Sequence, residues 1–91
     1  MMPAVPCWVV YILECRDRTL YTGITVDLGR RVAAHQRGTA SRYTRARLPV
    51  RLLYQESHPT RSSALRREAL IKKMPRRDKI GLLTPPSSAR P

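Results

Sequence analysis

This chain of 91 residues has only six carboxylates, and one of them is out of place. Asp17 falls in a turn, Asp27 stands where a helix begins, Asp78 fits a first helical turn, and Glu56 closes a strand; Glu14 is the sixth. Glu68 follows Ala64 by four and Leu65 by three, and precedes Ile71 by three. On a helix these positions are neighbours, so Glu68 lies within the stripe that should face the core. A lone buried carboxylate is unfavourable and calls for a cation. That cation is either Arg31 or Lys72 in an ion pair, or a bound Mg²⁺ or Mn²⁺, both of which take carboxylate and water oxygens.

Two-metal nuclease sites gather several carboxylates, which this chain lacks. A one-metal site with few protein ligands fits better. Such an ion polarises a phosphate and stabilises the leaving oxygen. An arginine can balance charge on the phosphoryl oxygens. Water still needs a base, and His35 or a tyrosine on the sheet is available.

The elements that must position these groups follow from periodicity. Trp8 to Cys15 is an almost continuous apolar run, with Trp8, Val10 and Ile12 on one face and Val9, Tyr11 and Leu13 on the other. A central strand covered on both sides reads this way. Arg16 to Thr19 is a polar turn, and Leu20 to Thr25 is the returning hairpin strand. Asp27 caps a helix that Gly38 stops, with Leu28, Val32 and Ala33 facing the core. Arg31 and His35 are four apart and share one face. Thr39 to Arg47 reads as a polar, arginine-rich loop, and Leu48 to Glu56 as a third strand. Thr60 or Ser62 caps a helix running through Met74. Pro75 opens a short third helix over Arg76 to Leu83. The predicted fold is α+β: a small three-stranded, antiparallel-rich sheet flanked by two or three helices, in the order β-β-α-β-α-α. One domain spans 8–83, between a flexible leader over 1–7 and a disordered tail over 84–91.

The formal net charge is +12, and arginine far outnumbers lysine. Nucleic acid is the first partner this implies, because clustered cations release counterions from phosphates and arginine forks a phosphate bidentately. Arg30, Arg42, Tyr43, Arg45, Arg47 and Lys72 are the candidate contacts, with Tyr43 able to stack a base. Cys7 and Cys15 fit neither a disulfide within one strand nor a zinc motif, and read as reduced core thiols in a cytoplasm. No apolar run reaches membrane-spanning length, and the N-terminus carries no signal-peptide pattern.

The ordered series of residues resembles the GIY-YIG nuclease superfamily. Val9-Val10-Tyr11 corresponds to the first family motif and Tyr21-Thr22-Gly23 to the second. Asp27-Leu28-Gly29-Arg30-Arg31-Val32 matches the helix that follows, with His35 at the family spacing. Glu68 in LRREALIKKM matches the metal-binding glutamate, and Ser41-Arg42-Tyr43-Thr44 is similar to a segment of the small stand-alone bacterial branch. The resemblance spans residues 8 to 80. It departs from the pattern in lacking the Gly and Ile of the first motif and in having no asparagine anywhere.

The resemblance implies a divalent-metal-dependent DNA endonuclease. Glu68 holds the metal, Arg31 contacts the scissile phosphate, and Tyr11 and Tyr21 project together from the hairpin, one of them activating water. His35 assists proton transfer, and Gly23 permits close backbone approach. Single-stranded or branched DNA is the favoured substrate. A non-catalytic nucleic-acid-binding module and an RNA accessory protein are the competing readings; the first would ignore Mg²⁺, the second would prefer RNA.

Overall fold

The computed structural model describes residues 7–83, so residues 1–6 of the expected leader and all of the expected tail lie outside the described residues. The sheet has three strands, β1 (Trp8–Glu14), β2 (Leu20–Thr25) and β3 (Arg51–His58), in the order β2-β1-β3 with both pairings antiparallel. The helices are α1 (Leu28–Arg37), α2 (Arg42–Arg45), α3 (Arg61–Lys73) and α4 (Arg76–Gly81). Apart from the one-turn α2, this is the predicted β-β-α-β-α-α order.

The two apolar faces of β1 explain its central place. Val10 and Ile12 are buried with Ala64 and Ile71 of α3 on one side of the sheet, and Trp8, Leu20 and Ile24 pack against them. On the other side Tyr11, Leu13, Cys15 and Val50 form a second cluster, joined by Tyr21 and by Leu28 and Val32 of α1. A strand hydrogen-bonded on both edges and covered on both faces has no solvent-facing position for a charge, which matches its near-absence of polar residues.

Helix α1 begins and ends as its sequence dictates. The Asp27 carboxylate accepts from the Arg30 amide at 3.1 Å, and Gly38 closes the helix at φ 80, a left-handed conformation that a residue with a Cβ adopts at a cost. The face turned to the sheet carries Leu28, Val32 and His35, a four- then three-residue step. Ala33 therefore points to solvent, contrary to the expectation that it joins the core. The residue that α1 buries completely is His35.

Three boundaries differ from the sequence reading. The segment expected as loop over 39–47 contains α2, nucleated by Ser41, whose hydroxyl accepts from the Thr44 amide at 3.1 Å. The third strand starts at Arg51 instead of Leu48. Pro49, after a cis Leu48–Pro49 peptide, has no N–H to give, and the polar groups of Val50 are taken by the Gln36 side chain, which accepts from its amide at 3.2 Å and donates to its carbonyl. The strand then continues past Glu56 because Trp8 of β1 still offers a partner to His58. Cys15 is a buried free thiol as expected, but Cys7 is exposed, since it precedes the strand that would have covered it.

The end of β3 is fastened to α3 by one carboxylate. Glu56 accepts from the Tyr54 hydroxyl at 2.5 Å, from Arg67 Nε at 2.8 Å, and lies 2.7 Å from His58 Nε2; His58 Nδ1 in turn lies 2.5 Å from the Ser63 hydroxyl. Burial pushes the Glu56 carboxyl upward, but the hydrogen bonds from Tyr54, His58 and Arg67 outweigh it and hold it below the usual carboxylate range.

Candidate functional site

Strand register brings the first polar cluster together. In the β1–β2 hairpin Leu13 faces Tyr21 and Tyr11 faces Gly23. Tyr11 and Tyr21 are thus diagonal neighbours on one face, with ring centroids 6.4 Å apart. Gly23 leaves the space into which the Tyr11 ring extends. Helix α1 crosses this face and sets His35 against both tyrosines, 5.8 Å from the Tyr11 ring and 5.1 Å from the Tyr21 ring.

The Tyr11 hydroxyl lies 2.9 Å from His35 Nε2, and His35 Nδ1 lies 2.8 Å from the Thr44 hydroxyl. All three side chains are buried. The Thr44 hydroxyl can donate onward to the Ser41 carbonyl at 3.4 Å. With that direction, Thr44 accepts from His35 Nδ1–H, and Nε2 is left to accept the Tyr11 proton. The result is a chain running Tyr11 to His35 to Thr44.

Two titrations are displaced here. Burial lowers the pKa of His35, and the nearby Arg31 charge lowers it further, so the imidazole is neutral at pH 7. Burial raises the pKa of Tyr11; the Arg31 guanidinium opposes this, while Tyr21 and Glu68 add to it. The neutral phenol and neutral imidazole are the resting pair.

Arg31 sits one turn before His35, and its Nε is buried with no hydrogen-bond partner among the described residues. An orphaned guanidinium N–H beside a phenol is a donor in want of an anion. Arg30 and Arg31, with Arg37, line a shallow depression of about 350 Å³ at the start of α1. Arg42 and Arg45 line a different depression beside Gly38. Tyr43 is partly exposed; its ring stacks on Tyr21 with centroids 6.1 Å apart, and Arg47 lies 3.9 Å over it. Arg47 also donates to Asp17 at 3.0 Å and to the Tyr43 carbonyl at 3.0 Å, which ties it to that ring.

Glu68 approaches from α3, on the other face of the sheet. Its side chain is 18% exposed and pairs with Lys72 at 3.3 Å, one of the two ion pairs considered from the sequence. A small cleft of about 250 Å³, lined by Leu20, Tyr21, Thr22, Tyr43, Lys72 and Lys79, crosses β2, one of the two edge strands of the sheet. Tyr21 enters it from one face, Leu20 and Thr22 from the other. Of the candidate catalytic residues Tyr21 alone is among those lining this cleft; Arg31 lines the depression at the start of α1, and Glu68 is among the lining residues of neither. Among the described residues no three His, Cys, Asp or Glu side chains converge. A closed protein cage is absent, and the donor set suits an ion that takes one carboxylate and fills its remaining positions with water and substrate oxygens.

Thr44 was missed as a site residue by sequence reasoning, though its segment was noticed. The available signal was the Ser41 cap, which predicts a helical turn and so an inward side chain at Thr44.

Comparison with known proteins adds ancestry. The model of the family described as the GIY-YIG catalytic domain matches residues 7–80. A UPF0213 protein of Streptococcus sanguinis is 51% identical over 74 residues, which cover 81% of this chain and 85% of that protein. One from Xanthomonas axonopodis pv. citri is 48% identical over 82 residues, covering 90% and 80%. The solution NMR structure of a UPF0213 protein from Bacillus halodurans is similar at a TM-score of 0.55 and 42% identity, covering 85% of this chain and 82% of that one.

Proposed function

The chain belongs to the GIY-YIG family, a nuclease superfamily, and from that premise we propose that it is a divalent-metal-dependent endonuclease that hydrolyses a phosphodiester of DNA, single-stranded or branched, in the cytoplasm. The observation that carries this reading is the 2.9 Å contact between the Tyr11 hydroxyl and a buried, neutral His35 whose other nitrogen is held by Thr44.

In this reading Tyr11 takes the proton of the attacking water, which requires the substrate complex to open a path to a side chain that is 1% exposed here. As the water oxygen bonds to phosphorus, its proton passes to the Tyr11 oxygen while the Tyr11 proton passes to His35 Nε2. The bond from phosphorus to the departing sugar oxygen breaks, and that oxygen takes a proton from solvent. His35 later returns its proton to water, which its lowered pKa favours. Arg31, which lines the depression at the start of α1, contacts a phosphoryl oxygen through its guanidinium. Tyr21 packs edge-on against His35 and fixes the ring plane. Glu68 holds the cation, Mg²⁺ or Mn²⁺, which when bound supplies positive charge at the phosphate and the leaving oxygen. Lys72 must release Glu68 for this, and its pairing at 3.3 Å favours the second reading, a binding module without catalysis. Arg30, Arg42, Tyr43, Arg45, Arg47 and Lys72 make up the surrounding nucleic-acid contacts in either reading.

The deciding experiment incubates the protein with labelled single-stranded, duplex and branched DNA in Mg²⁺, Mn²⁺ or chelator, beside Glu68→Ala. Cutting that needs the metal and disappears in the variant supports the nuclease. Salt-sensitive binding with no cutting in either metal moves the reading to the binding module, and tighter binding to RNA changes the substrate.

A further inference from the structure

A broad cleft on the described surface lies outside the tyrosine–histidine cluster. It measures about 620 Å³ and is lined by Arg18 and Thr19 of the β1–β2 turn, Leu20 of β2, Tyr43 of α2, and Arg76 and Lys79 of α4. It shares Leu20, Tyr43 and Lys79 with the smaller cleft that holds Tyr21 and Lys72. The two are one trough that starts beside the candidate reaction centre and runs under the hairpin turn.

The trough is cationic by construction. Its lining holds Arg18, Arg76 and Lys79 and no carboxylate; Arg18 and Arg76 each lie 3.4 Å from Glu14 behind the lining, a carboxylate that Arg51 also holds at 2.8 Å. Three cations thus line this cleft, and the one carboxylate paired with two of them is shared with Arg51. Asp78, the one acid of α4, is not among the lining residues.

The turn itself is held in an unfavourable shape to present Arg18. Arg18 has φ 73, in the left-handed region where a glycine would be at ease and an arginine is not. Its amide donates to the Cys15 carbonyl at 2.9 Å, and its own carbonyl accepts from Arg76. Its side chain is 81% exposed at the mouth of the trough. A residue kept in a sparsely populated conformation, with its charge turned to solvent, suggests that the charge is used.

We propose that this trough binds the phosphodiester backbone of the single strand that flanks the scissile bond, with Arg18, Arg76 and Lys79 as the phosphate contacts and the Tyr43 edge as its wall. The proposal rests on the nucleic-acid reading given above, and it sets a direction: the strand leaves the reaction centre over β2 and passes between the β1–β2 turn and α4.

The test compares Arg18→Gly with Lys79→Gln, combined, against wild type, and against Arg61→Gln with Arg66→Gln, which removes the same charge from the first turns of α3. Glycine accepts the turn conformation, so the first variant should melt no lower than wild type. Binding of a labelled single-stranded 20-mer is titrated with salt in chelator, where nothing is cut. Loss of two phosphate contacts should lower the slope of log K against log salt by about 1.4 and the affinity at 0.1 M salt by about tenfold, with the α3 variant nearer wild type. An unchanged slope, or an equal fall in the α3 variant, overturns the trough even if the wild type cuts DNA. A selective fall in a protein that cuts nothing leaves the trough standing and removes the nuclease.

Discussion

A Cβ placed on Gly23 would stand 2.5 Å from the Tyr11 hydroxyl oxygen and 2.7 Å from Tyr11 Cζ. The two residues are paired across the hairpin, so the missing side chain on β2 is the space that the phenol of β1 occupies. Gly23→Ala should displace the Tyr11 hydroxyl from His35 without emptying the core. Overpacking of this kind typically costs about 1–3 kcal/mol, while the rate should fall at least tenfold because the proton path is broken. Thermal unfolding beside single-turnover cleavage separates the two; an alanine variant that cuts at the wild-type rate refutes the dependence on this contact.

Thr44 orients His35 and touches no substrate, so its loss should act through the ring. Thr44→Val keeps the shape but leaves Nδ1 without a partner and frees the tautomer. The expected result is a fall in kcat of about 10- to 100-fold with little change in KM, less than the full contribution of a general base. Thr44→Ser should restore most of the rate. A valine variant with normal kcat would show that Nδ1 needs no anchor.

The displaced titrations predict the shape of the pH profile. His35 must be neutral to accept a proton, and burial followed by the Arg31 charge lowers its pKa below the ordinary value of about 6.5. The acid limb of kcat should therefore lie below that value, with the rate flat through neutrality while Tyr11 keeps its proton. For stability the sign is the same. Unfolded histidine takes up a proton near its ordinary pKa and buried His35 does not, so stability falls as pH drops below that value and levels off once His35 itself protonates. His35→Gln should remove this slope from unfolding curves measured between neutral and mildly acid pH.

The Glu56 cluster makes a separate acid-linked contribution. Although burial raises its pKa, the hydrogen bonds from Tyr54, His58 and Arg67 prevail and leave it low in the folded state. Such a group stabilises above the unfolded carboxylate pKa, and the effect is lost as pH falls through the folded one. Glu56→Gln should flatten that part of the acid-unfolding curve while leaving the rate at neutral pH close to wild type. Denaturant melts at stepped pH measure it; an unchanged curve would mean that the carboxylate is no better placed folded than unfolded.

Much of the architecture was legible because local chemistry and tertiary demand agree. The apolar run of β1 could only be a central strand, and Asp27 and Gly38 mark the ends of α1. Glu68 was noticed because it breaks the apolar stripe of its own helix. What escaped has a common cause. The start of β3 is decided by Gln36, a side chain of α1, and the partnership of Thr44 with His35 joins two elements through hydroxyl and ring. Arg18 and Arg76 meet across 58 residues. None of these contacts has a period or a local motif, so each becomes visible only when the chain is folded. Ala33 was misplaced for a related reason: the helix turned so that a histidine, not an alanine, met the sheet.

Strand β1 is bonded along both edges and roofed on both faces, and Tyr11 lies near its middle. Its one backbone N–H donates to a single neighbouring strand, but that strand and the layers on both faces must leave together before solvent reaches it, so it should exchange with solvent deuterium only when the whole molecule opens. The reaction centre then has no melting of its own. A destabilising substitution anywhere in the chain would erode activity through the population of folded molecules, and the residual rate under mild denaturant would report global stability.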